Sequence, residues 1–469
     1  MVPDLSQPQR IHVIAIGGAA MSAIAHILVV GGNTVSGSDQ ADSAILAKLR
    51  EKGCAIAVGH DAAAVTGVDL VVISTAVKPG NVELDAAIAL GIPIATRNEM
   101  MTAFGAQRRT LGISGTHGKT TTSGMAAVVL MAAGWDPSFI VGGQITELST
   151  GVRWADSEWL SVEADESDSS FLCFGAEAVI VTNVEPDHLD FHGSMANLET
   201  AFDTFVRQAA GPRIACVDDP GVVELIARVT PLAITTYGTS PLAQYRIGDI
   251  ASNESGNRFT VTSPDGHQYD LSVRFPGEHV VRNAAAVFAM ATELGIQPAV
   301  SIAALAGFQG VGRRLEQRGM VRGVRFIDDY AHLPAEVATN VTAVDGGRGP
   351  QSWERVIAVF QPHRFTRIRD VGVDFGPSFS GADIVIITGL YASGQDPIEG
   401  ISGRTVFDAV VANRQGKPTY YAETRAELMV LLGDVLQAGD LCLTMNAGDL
   451  TTLPDDMLRS AWAQIEREA

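Results

Sequence analysis

One glycine-rich segment, Gly112–Thr122, has the residues of a phosphate-binding loop. Its sequence is GISGTHGKTTT; it begins within the apolar run TLGIS and leads into a helical pattern. A helix N-terminus presents unpaired backbone N–H groups and the positive end of a dipole, so it attracts phosphate. Gly115 and Gly118 let the backbone approach the phosphate oxygens. Lys119 adds a cation, and the Thr120 hydroxyl can reach Mg²⁺. The segment therefore predicts a nucleotide-binding enzyme.

This loop departs from the general pattern G-x-x-x-x-G-K-[ST], which would have glycine where Ile113 stands. Two observations still favour a phosphate site over a glycine turn with a solvated lysine. The loop joins a predicted strand to a predicted helix, as a phosphate loop requires. The chain also has only five lysines, at positions 48, 52, 78, 119 and 417, and the one between 78 and 417 falls in this loop.

Two acidic clusters follow predicted strands of the same region. The strand LSVEA leads into Glu163, Asp165, Glu166 and Asp168, and the strand VIVTN leads into Glu185, Asp187, His188 and Asp190. The carboxyl ends of parallel strands meet at one sheet edge, where oxygen ligands for Mg²⁺ are expected beside the loop. Glu163 and His188 are the first candidates. Each of the other acids, taken singly, is better interpreted as a solvated loop residue or a helix cap.

Near the N-terminus, IAIGGAAMSAIA follows a strand, and Asp39 ends the next strand at the spacing of a ribose-binding acid. The pattern G-x-G-x-x-G would have glycine at Ala15 and Ala20. These residues fit a dinucleotide-binding domain and a purely structural βαβ unit equally well. A domain for another nucleotide diphosphate, such as a UDP group, uses the same physics and tolerates the variation.

Basic side chains cluster near the ends of predicted strands in the last third of the chain. DDYAH occupies 328–332, and FQPHRFTR occupies 360–367 with His363, Arg364 and Arg367. Arginine binds carboxylate or phosphate through two parallel hydrogen bonds. These arginines, together with the pair Arg313–Arg314, predict an anion site, and a surface salt-bridge network is the alternative.

Strands that alternate with helices predict an α/β fold with parallel sheets. We expect three domains over 1–107, 108–311 and 312–469: a Rossmann-like domain, a central P-loop domain with a parallel sheet, and a second Rossmann-like domain. Residues 11–16 are expected to form a strand, and 247–273 an inserted hairpin. The stretch VDGGRGPQSWE is expected to be a surface connection.

Composition narrows the function classes. The net charge of -20 argues against general nucleic-acid binding and against docking on an anionic membrane. The four cysteines form no C-x-x-C pair, so free thiols in a reducing compartment are expected. The first residues lack the features of a signal peptide, and no apolar run reaches about 18 residues. A cytoplasmic enzyme is the default expectation.

The order of motifs resembles the bacterial Mur ligases. The matching segments are GTHGKTTT, EADESDSSF, TNVEPDHLD, GEHVVRNAAA, RRLE, DDYAHLP and FQPHR, and the resemblance runs from Ile11 to about Leu450. EADESDSSF and FQPHRFTR are most like the members that attach L-alanine. The resemblance implies that ATP and Mg²⁺ drive the joining of L-alanine to the lactyl carboxylate of UDP-N-acetylmuramate through an acyl phosphate, in peptidoglycan precursor synthesis. The third domain would close over the other two.

The resemblance also implies residue roles. The UDP part of the substrate would contact Gly18, Met21, Ser22, Asp39, His60 and Thr75. The nucleotide would contact Gly115, Thr116, Gly118, Lys119, Thr120, Thr121, Asn283, Arg314 and Asp329. Mg²⁺ would bind Thr120, Glu163 and His188, and His117 would touch the muramyl end. The remaining substrate contacts would come from Tyr330, His332, His363, Arg364 and Arg367, the last three holding L-alanine. Lys119, Glu163, His188 and His332 would act in catalysis, with the amine base near His332 or His363.

Several positions depart from the family pattern: Ala15, Ala20 and Ala23 replace glycines, Val280 an asparagine and Leu333 a histidine. They keep two alternatives open, a relative that adds a peptide during muropeptide recycling and a diverged nucleotide-binding protein without this activity. A nicotinamide-dependent dehydrogenase would leave the phosphate loop unexplained. A monomer or a homodimer is expected.

Overall fold

The computed structural model describes residues 2–74, 76–253, 256–349, 352–414 and 416–460, without the side chain of Asp190. The chain divides into two compact units. Unit 1 comprises Met1–Arg246, Ser263–Asp265 and Ala285–Ala304, and unit 2 comprises Ile247–Thr262, Gly266–Ala284 and Leu305–Ala469. The three domain boundaries expected from the sequence stay a prediction.

Strands and helices alternate through most of the chain. The strands are β1 (Arg10–Ile14), β2 (Thr34–Asp39), β3 (Ala55–Val58), β4 (Leu70–Ile73), β5 (Ile94–Thr96), β6 (Arg109–Ser114), β7 (Ser138–Ile145), β8 (Thr150–Arg153), β9 (Trp159–Glu163), β10 (Ala178–Val181), β11 (Arg213–Cys216), β12 (Thr235–Gly238), β13 (Tyr245–Asn253), β14 (Gly256–Thr262), β15 (Gln268–Val273), β16 (Glu316–Val321), β17 (Val324–Asp329), β18 (Arg355–Phe360), β19 (Ile384–Thr388), β20 (Thr419–Ala422) and β21 (Asp440–Met445). The α-helices are α1 (Ala19–Val30), α2 (Ala44–Glu51), α3 (Val82–Leu90), α4 (Arg97–Gly105), α5 (Lys119–Ala132), α6 (Leu189–His192), α7 (Met195–Gln208), α8 (Pro220–Val229), α9 (Glu278–Glu293), α10 (Pro298–Gly307), α11 (Pro334–Gly346), α12 (Phe365–Val371), α13 (Gly403–Asn413), α14 (Arg425–Val435) and α15 (Leu453–Arg459).

Unit 1 contains two parallel-rich sheets. The first has the strand order β3-β2-β1-β4-β5, and all its pairings are parallel. In this unit the second has the order β12-β11-β10-β6-β9-β7-β8, with only β8 antiparallel to its neighbour. Because β6, β9 and β10 are adjacent and parallel, their carboxyl ends share one edge. That edge holds the phosphate loop and both acidic clusters.

Unit 2 contains a third sheet with the order β16-β17-β21-β18-β19-β20, in which only β16 is antiparallel to its neighbour. Its central strands are buried, and their apolar side chains pack against helices, with Val341 of α11 and Val406 of α13 fully buried. Such uninterrupted apolar runs are typical of parallel strands covered on both faces. β14 and β15 pair as an antiparallel hairpin, as the alternation within 247–273 predicted.

Two local predictions were wrong. The first strand ends at Ile14 rather than residue 16, because Ala15 takes a φ of 59°, a left-handed conformation that costs an alanine about 1 kcal/mol. The expected surface connection VDGGRGPQSWE begins inside α11, and Trp353 is buried with its Nε1 donating to the Val344 carbonyl oxygen. No helix in the described residues combines the length and apolarity needed to cross a membrane.

Candidate nucleotide and amino-acid sites

The phosphate loop requires glycine at Gly115 and Gly118 for different reasons. Gly115 has a φ of 140°, and a Cβ there would collide with Thr182 Oγ1 at the end of β10. Gly118 has a φ of 82° and is the N-cap of α5. Ile113 instead lies in β6 and is completely buried. The glycine of the general pattern is absent at position 113 because that residue is still in the strand, and the loop turns at Gly115 and Gly118.

Two residues after β10 hold the loop in place. Asn183 Oδ1 accepts from the His117 backbone N–H at 2.7 Å, and Asn183 Nδ2 donates to the His117 carbonyl at 3.1 Å. Thr182 Oγ1 donates to the same carbonyl at 2.6 Å. Thr182 and Asn183 were not predicted as functional residues from the sequence. Their only signal was two polar residues at the end of an apolar strand beside the acidic cluster.

Lys119 lies at the start of α5 with 14% of its side chain exposed. Its Nζ donates to Glu166 Oε1 at 2.7 Å and to the carbonyl oxygens of Gly115 at 2.6 Å and Thr116 at 3.1 Å. Burial works to lower the pKa of Lys119, but the charges of Glu166 and Asp165 outweigh it and raise this pKa. Lys119 is therefore a cation held among oxygen atoms at the N-terminus of a helix.

Glu166 is the partner that the sequence did not single out. Its side chain is 1% exposed, and within the described part of the chain its Oε2 has no hydrogen-bond partner. Burial raises the pKa of Glu166 to about 7 against the opposing charge of Lys119, and Asp165 adds a like charge. The carboxylate therefore satisfies Lys119 with one oxygen and leaves the other unsatisfied.

Thr120 and Glu163 bring oxygen atoms together beside this lysine. Thr120 Oγ1 donates to Glu163 Oε1 at 2.7 Å, and the Gly142 N–H donates to Glu163 Oε2 at 2.6 Å. The described residues hold no group of three His, Cys, Asp or Glu side chains arranged for a metal ion. A hydroxyl and one carboxylate nevertheless fit Mg²⁺, which uses one or two carboxylates and completes its octahedron with water and phosphate oxygens.

The third predicted metal ligand, His188, lies on the loop after β10 with a φ of 52°. Its Nε2 is 3.2 Å from Asp187 Oδ2. Burial raises the pKa of Asp165, but the charges of Lys119 and His188 and hydrogen bonds from Ser167 lower it overall. His188 is therefore part of the electrostatics of this edge, and its role as a metal ligand stays a prediction.

Three of the predicted UDP-binding residues, Gly18, Ser22 and Asp39, lie at or contact the start of α1. Gly18 is the N-cap of that helix, and the Ser22 hydroxyl donates to the Ala19 carbonyl at 2.9 Å. Asp39 Oδ2 accepts from the Gly17 N–H at 2.9 Å. The Met21 side chain is only 2% exposed and packs in the hydrophobic core, and Thr75 lies outside the described residues.

His60, also predicted for this site, lies just after β3 with 19% of its side chain exposed. Its Nδ1 is 2.9 Å from Glu83 Oε2 and 3.0 Å from Ser38 Oγ. The buried Glu83 was not a candidate in the sequence analysis, since a glutamate in the first turn of a helix is ordinary.

In unit 2, Tyr330 lies beneath two arginines. The guanidinium carbons of Arg313 and Arg314 are 4.6 and 5.3 Å from the centroid of its ring. Aromatic rings attract a cation without neutralising its charge. The guanidinium of Arg313 also donates to the Asn446 carbonyl at 2.9 Å.

His332 and His363 differ in which ring nitrogen is engaged. His332 Nδ1 is 2.8 Å from the Tyr330 carbonyl oxygen, which can only accept, so this nitrogen carries the proton. His363 Nδ1 accepts from Arg367 Nη1 at 3.0 Å, so its proton is on Nε2 in the neutral ring. Burial and the charge of Arg367 lower the pKa of His363 to about 3. The ring of Tyr391, which the sequence analysis missed, is stacked on His363 at 5.8 Å and 7°.

Two more predicted contacts, Asp329 and Asn283, differ in whether their polar atoms are already engaged. Asp329 is buried, and its two carboxylate oxygens accept from the backbone N–H groups of Leu315 and Ala331, both at 2.7 Å. Burial raises its pKa to about 6 despite the charge of Arg314. The Asn283 side chain is 5% exposed, and its Nδ2 has no partner among the described residues. Asn283 therefore has an unsatisfied donor to offer, whereas Asp329 secures the backbone around it.

Comparison with known families finds three consecutive matches along the chain. Residues 10–109 match the Mur ligase family catalytic domain, 113–291 the Mur ligase middle domain, and 313–448 the Mur ligase glutamate ligase domain. The UDP-N-acetylmuramate–L-alanine ligase of Stenotrophomonas maltophilia K279a is 39% identical over 449 residues, covering 94% of this chain and 93% of its own.

Solved structures give the same result at the level of the fold. The UDP-N-acetylmuramate-alanine ligase of Thermotoga maritima has a TM-score of 0.82 at 26% identity, covering 98% of this chain and all of its own. A murein peptide ligase of Psychrobacter arcticus has a TM-score of 0.68 at 23% identity, covering 96% of this chain and 98% of its own. The α/β fold and the family resemblance predicted from the motifs are confirmed.

Proposed function

The chain belongs to the Mur ligase family, and from this premise we propose that it joins L-alanine to the lactyl carboxylate of UDP-N-acetylmuramate while ATP is converted to ADP and phosphate. The 39% identity to an L-alanine ligase over nearly the whole chain supports the substrates. The observation that carries the chemistry is Lys119 at the N-terminus of α5, beside the Thr120–Glu163 pair. ATP and nucleotide sugars are cytoplasmic, so the reaction belongs to the cytoplasm.

ATP binding follows from the loop. The phosphates lie against the backbone N–H groups at the start of α5, and Lys119 exchanges Glu166 for their oxygens. The Asn283 Nδ2 group donates to the adenine, which satisfies a buried donor that would otherwise cost about 1–3 kcal/mol. Thr120 and Glu163 would hold Mg²⁺, which would supply positive charge beside the phosphates.

The first step forms an acyl phosphate. A lactyl carboxylate oxygen of the sugar nucleotide attacks the γ-phosphorus, and the bond from that phosphorus to the bridging oxygen of ADP breaks. The Lys119 ammonium and the N-terminus of α5 stabilise the charge on the transferring group. Both are fixed before the reaction, so no reorganisation is needed as that charge develops.

The second step forms the amide. The neutral amine of L-alanine attacks the acyl carbon, the bond to phosphate breaks and the amine loses a proton. His332 is the better base, because its Nδ1 already donates to the Tyr330 carbonyl and its Nε2 can accept. His363 has a pKa of about 3 and presents Nε2–H, so it donates a hydrogen bond to the amino-acid carboxylate instead.

Two arginines on α12 allow the proposed L-alanine site to be tested. Arg367 contacts His363, whereas Arg369 is half exposed and pairs with its neighbour Asp370. We expect Arg367→Ala to raise the KM for L-alanine about tenfold, the value of one hydrogen bond to a charged group. The matched variant Arg369→Ala should leave this KM unchanged. Equal effects of the two substitutions would contradict a specific carboxylate site at Arg367.

The function itself is tested by phosphate release from ATP with a panel of substrates. UDP-N-acetylmuramate should support turnover with L-alanine, and omission of either substrate should abolish it. L-Serine and glycine test amino-acid preference, and a tripeptide tests the muropeptide-recycling alternative. Turnover with the tripeptide and not with L-alanine would replace the proposed substrate. No turnover with any of these amines would indicate a nucleotide-binding relative without ligase activity.

A further inference from the structure

One carboxylate in unit 1 is completely buried outside the ATP site. Glu83 lies in the first turn of α3, and its side chain has no exposed surface. Its Oε2 accepts from Ser38 Oγ at 2.5 Å and lies 2.9 Å from His60 Nδ1. Its Oε1 accepts from the Asp61 N–H at 3.2 Å and lies 3.7 Å from His12 Nε2. The partners come from β1, β2 and the loop after β3.

A carboxylate is more than packing alone requires at this position. A buried charge is tolerated only when it is paired or fully hydrogen-bonded, and an apolar side chain of similar size is often as stable there. No lysine or arginine forms an ion pair with Glu83 in the described part of the chain. Its neighbours are instead two imidazoles, a hydroxyl and a backbone N–H, which together orient a carboxylate and are oriented by it.

The hydrogen bonds determine the state of His60. Burial works to raise the pKa of Glu83, but His12, Ser38 and His60 hold it at about 2, so the group is ionised and only accepts. Nδ1 of His60 must then carry a proton. In the neutral ring, Nε2 has a lone pair, and part of this ring is exposed. Ser38 is completely buried and contacts both groups, so the ring has little freedom to turn.

We propose that Glu83 is a positioning residue for the sugar nucleotide: it holds His60 with Nδ1 protonated, so that Nε2 accepts a hydrogen bond from the uridine part. The inference rests on the proposed function for its ligand. It extends that function to a residue that does not itself touch the substrate. The donors available on uridine are the imide N–H of the base and the ribose hydroxyls.

Binding of UDP to the full chain, measured by isothermal titration calorimetry, tests the proposal. Glu83→Gln keeps the size of the side chain and removes its charge, and we expect the Kd for UDP to rise about tenfold. His60→Ala should have a similar effect. In the double variant the two effects should not add, because Glu83 acts through His60. The Kd for ATP should stay unchanged in all three variants.

Asp69→Asn is the matched control, since Asp69 is a half-exposed carboxylate of the same sheet region that pairs with Arg10. It should leave UDP affinity unchanged. Additive effects of the Glu83 and His60 substitutions, or a Glu83→Gln chain that binds UDP normally, would overturn the inference and leave the ligase proposal intact. Failure of the unaltered chain to bind UDP would contradict both.

A second measurement does not depend on how well the variants fold. In ¹⁵N-labelled unaltered protein, the His60 imidazole should show the tautomer with Nδ1 protonated, identified by the signals that His60→Ala removes. Addition of UDP should shift the Nε2 resonance, as expected for a nitrogen that accepts a new hydrogen bond. The opposite tautomer would refute the proposal.

Discussion

Glu83 and Glu166 are both buried carboxylates of unit 1, yet their pKa values move in opposite directions. Despite its burial, the pKa of Glu83 is lowered to about 2 by hydrogen bonds to both oxygens. Burial raises the pKa of Glu166 to about 7, although Lys119 lies 2.7 Å away, because one oxygen is unsatisfied and Asp165 is nearby. Several neutral donors therefore stabilise a buried charge better than one lysine that is shared with a second acid.

The difference separates two kinds of site. Both carboxylate oxygens of Glu83 have hydrogen-bond partners, as expected for a contact that stays in place when a ligand binds. Glu166 has an incomplete set of partners, and its one good partner is the cation that the nucleotide requires. The Lys119–Glu166 contact is thus an arrangement that ATP can replace, whereas replacement of the partners of Glu83 would disturb two strands and a helix.

The largest expected effect comes from removal of Lys119, the cation that pairs with Glu166. Lys119→Ala should lower turnover at least about a thousandfold, because the transferring phosphoryl group loses its fixed positive charge. Phosphate release with saturating substrates measures this. Lys48→Ala, at an exposed position of α2, is the control and should retain normal turnover. Near-normal turnover of Lys119→Ala would refute the ATP site proposed here.

The contrast also shows what a single sequence can predict. The alternation of apolar runs and helical patterns predicted the parallel sheets, and GTHGKTTT at a strand–helix junction predicted the loop. The local sequence does not distinguish Glu83 from Glu166, because each is an acidic residue near a helix or a loop. What distinguishes them is Ser38, 45 residues from Glu83, and Lys119, 47 residues from Glu166. Partners so distant in sequence meet only through sheet topology, which local patterns do not encode.

The pH dependence of the free energy of unfolding tests the other side of the comparison, Glu83 and its hydrogen-bond partners. The folded pKa of Glu83 is about 2 and its ordinary value is 4.5, so near pH 3 the unfolded chain binds a proton that the folded chain does not. Ionised Glu83 therefore contributes about 3 kcal/mol of stability above pH 4.5, which is lost as the pH falls towards 2. Glu83→Gln should be most destabilising at pH 6, and its deficit against the unaltered chain should shrink at pH 3. Urea unfolding at both values measures this, with Asp85→Asn, at an exposed position of the same helix, as the control. A deficit independent of pH would contradict it.

The smallest effect concerns the proton on Glu166. Burial raises the pKa of this carboxyl to about 7, so part of it is protonated near neutral pH. When ATP binds without added divalent cation, Lys119 moves to the phosphates and new negative charge enters, and both changes raise the pKa further. Binding should therefore take up a fraction of a proton at pH 7, seen as a dependence of the calorimetric heat on the ionisation enthalpy of the buffer. Glu166→Gln should abolish this uptake, whereas Glu158→Gln, at an exposed position before β9, should retain it. Uptake that persists in Glu166→Gln would place the proton on another group and contradict this prediction.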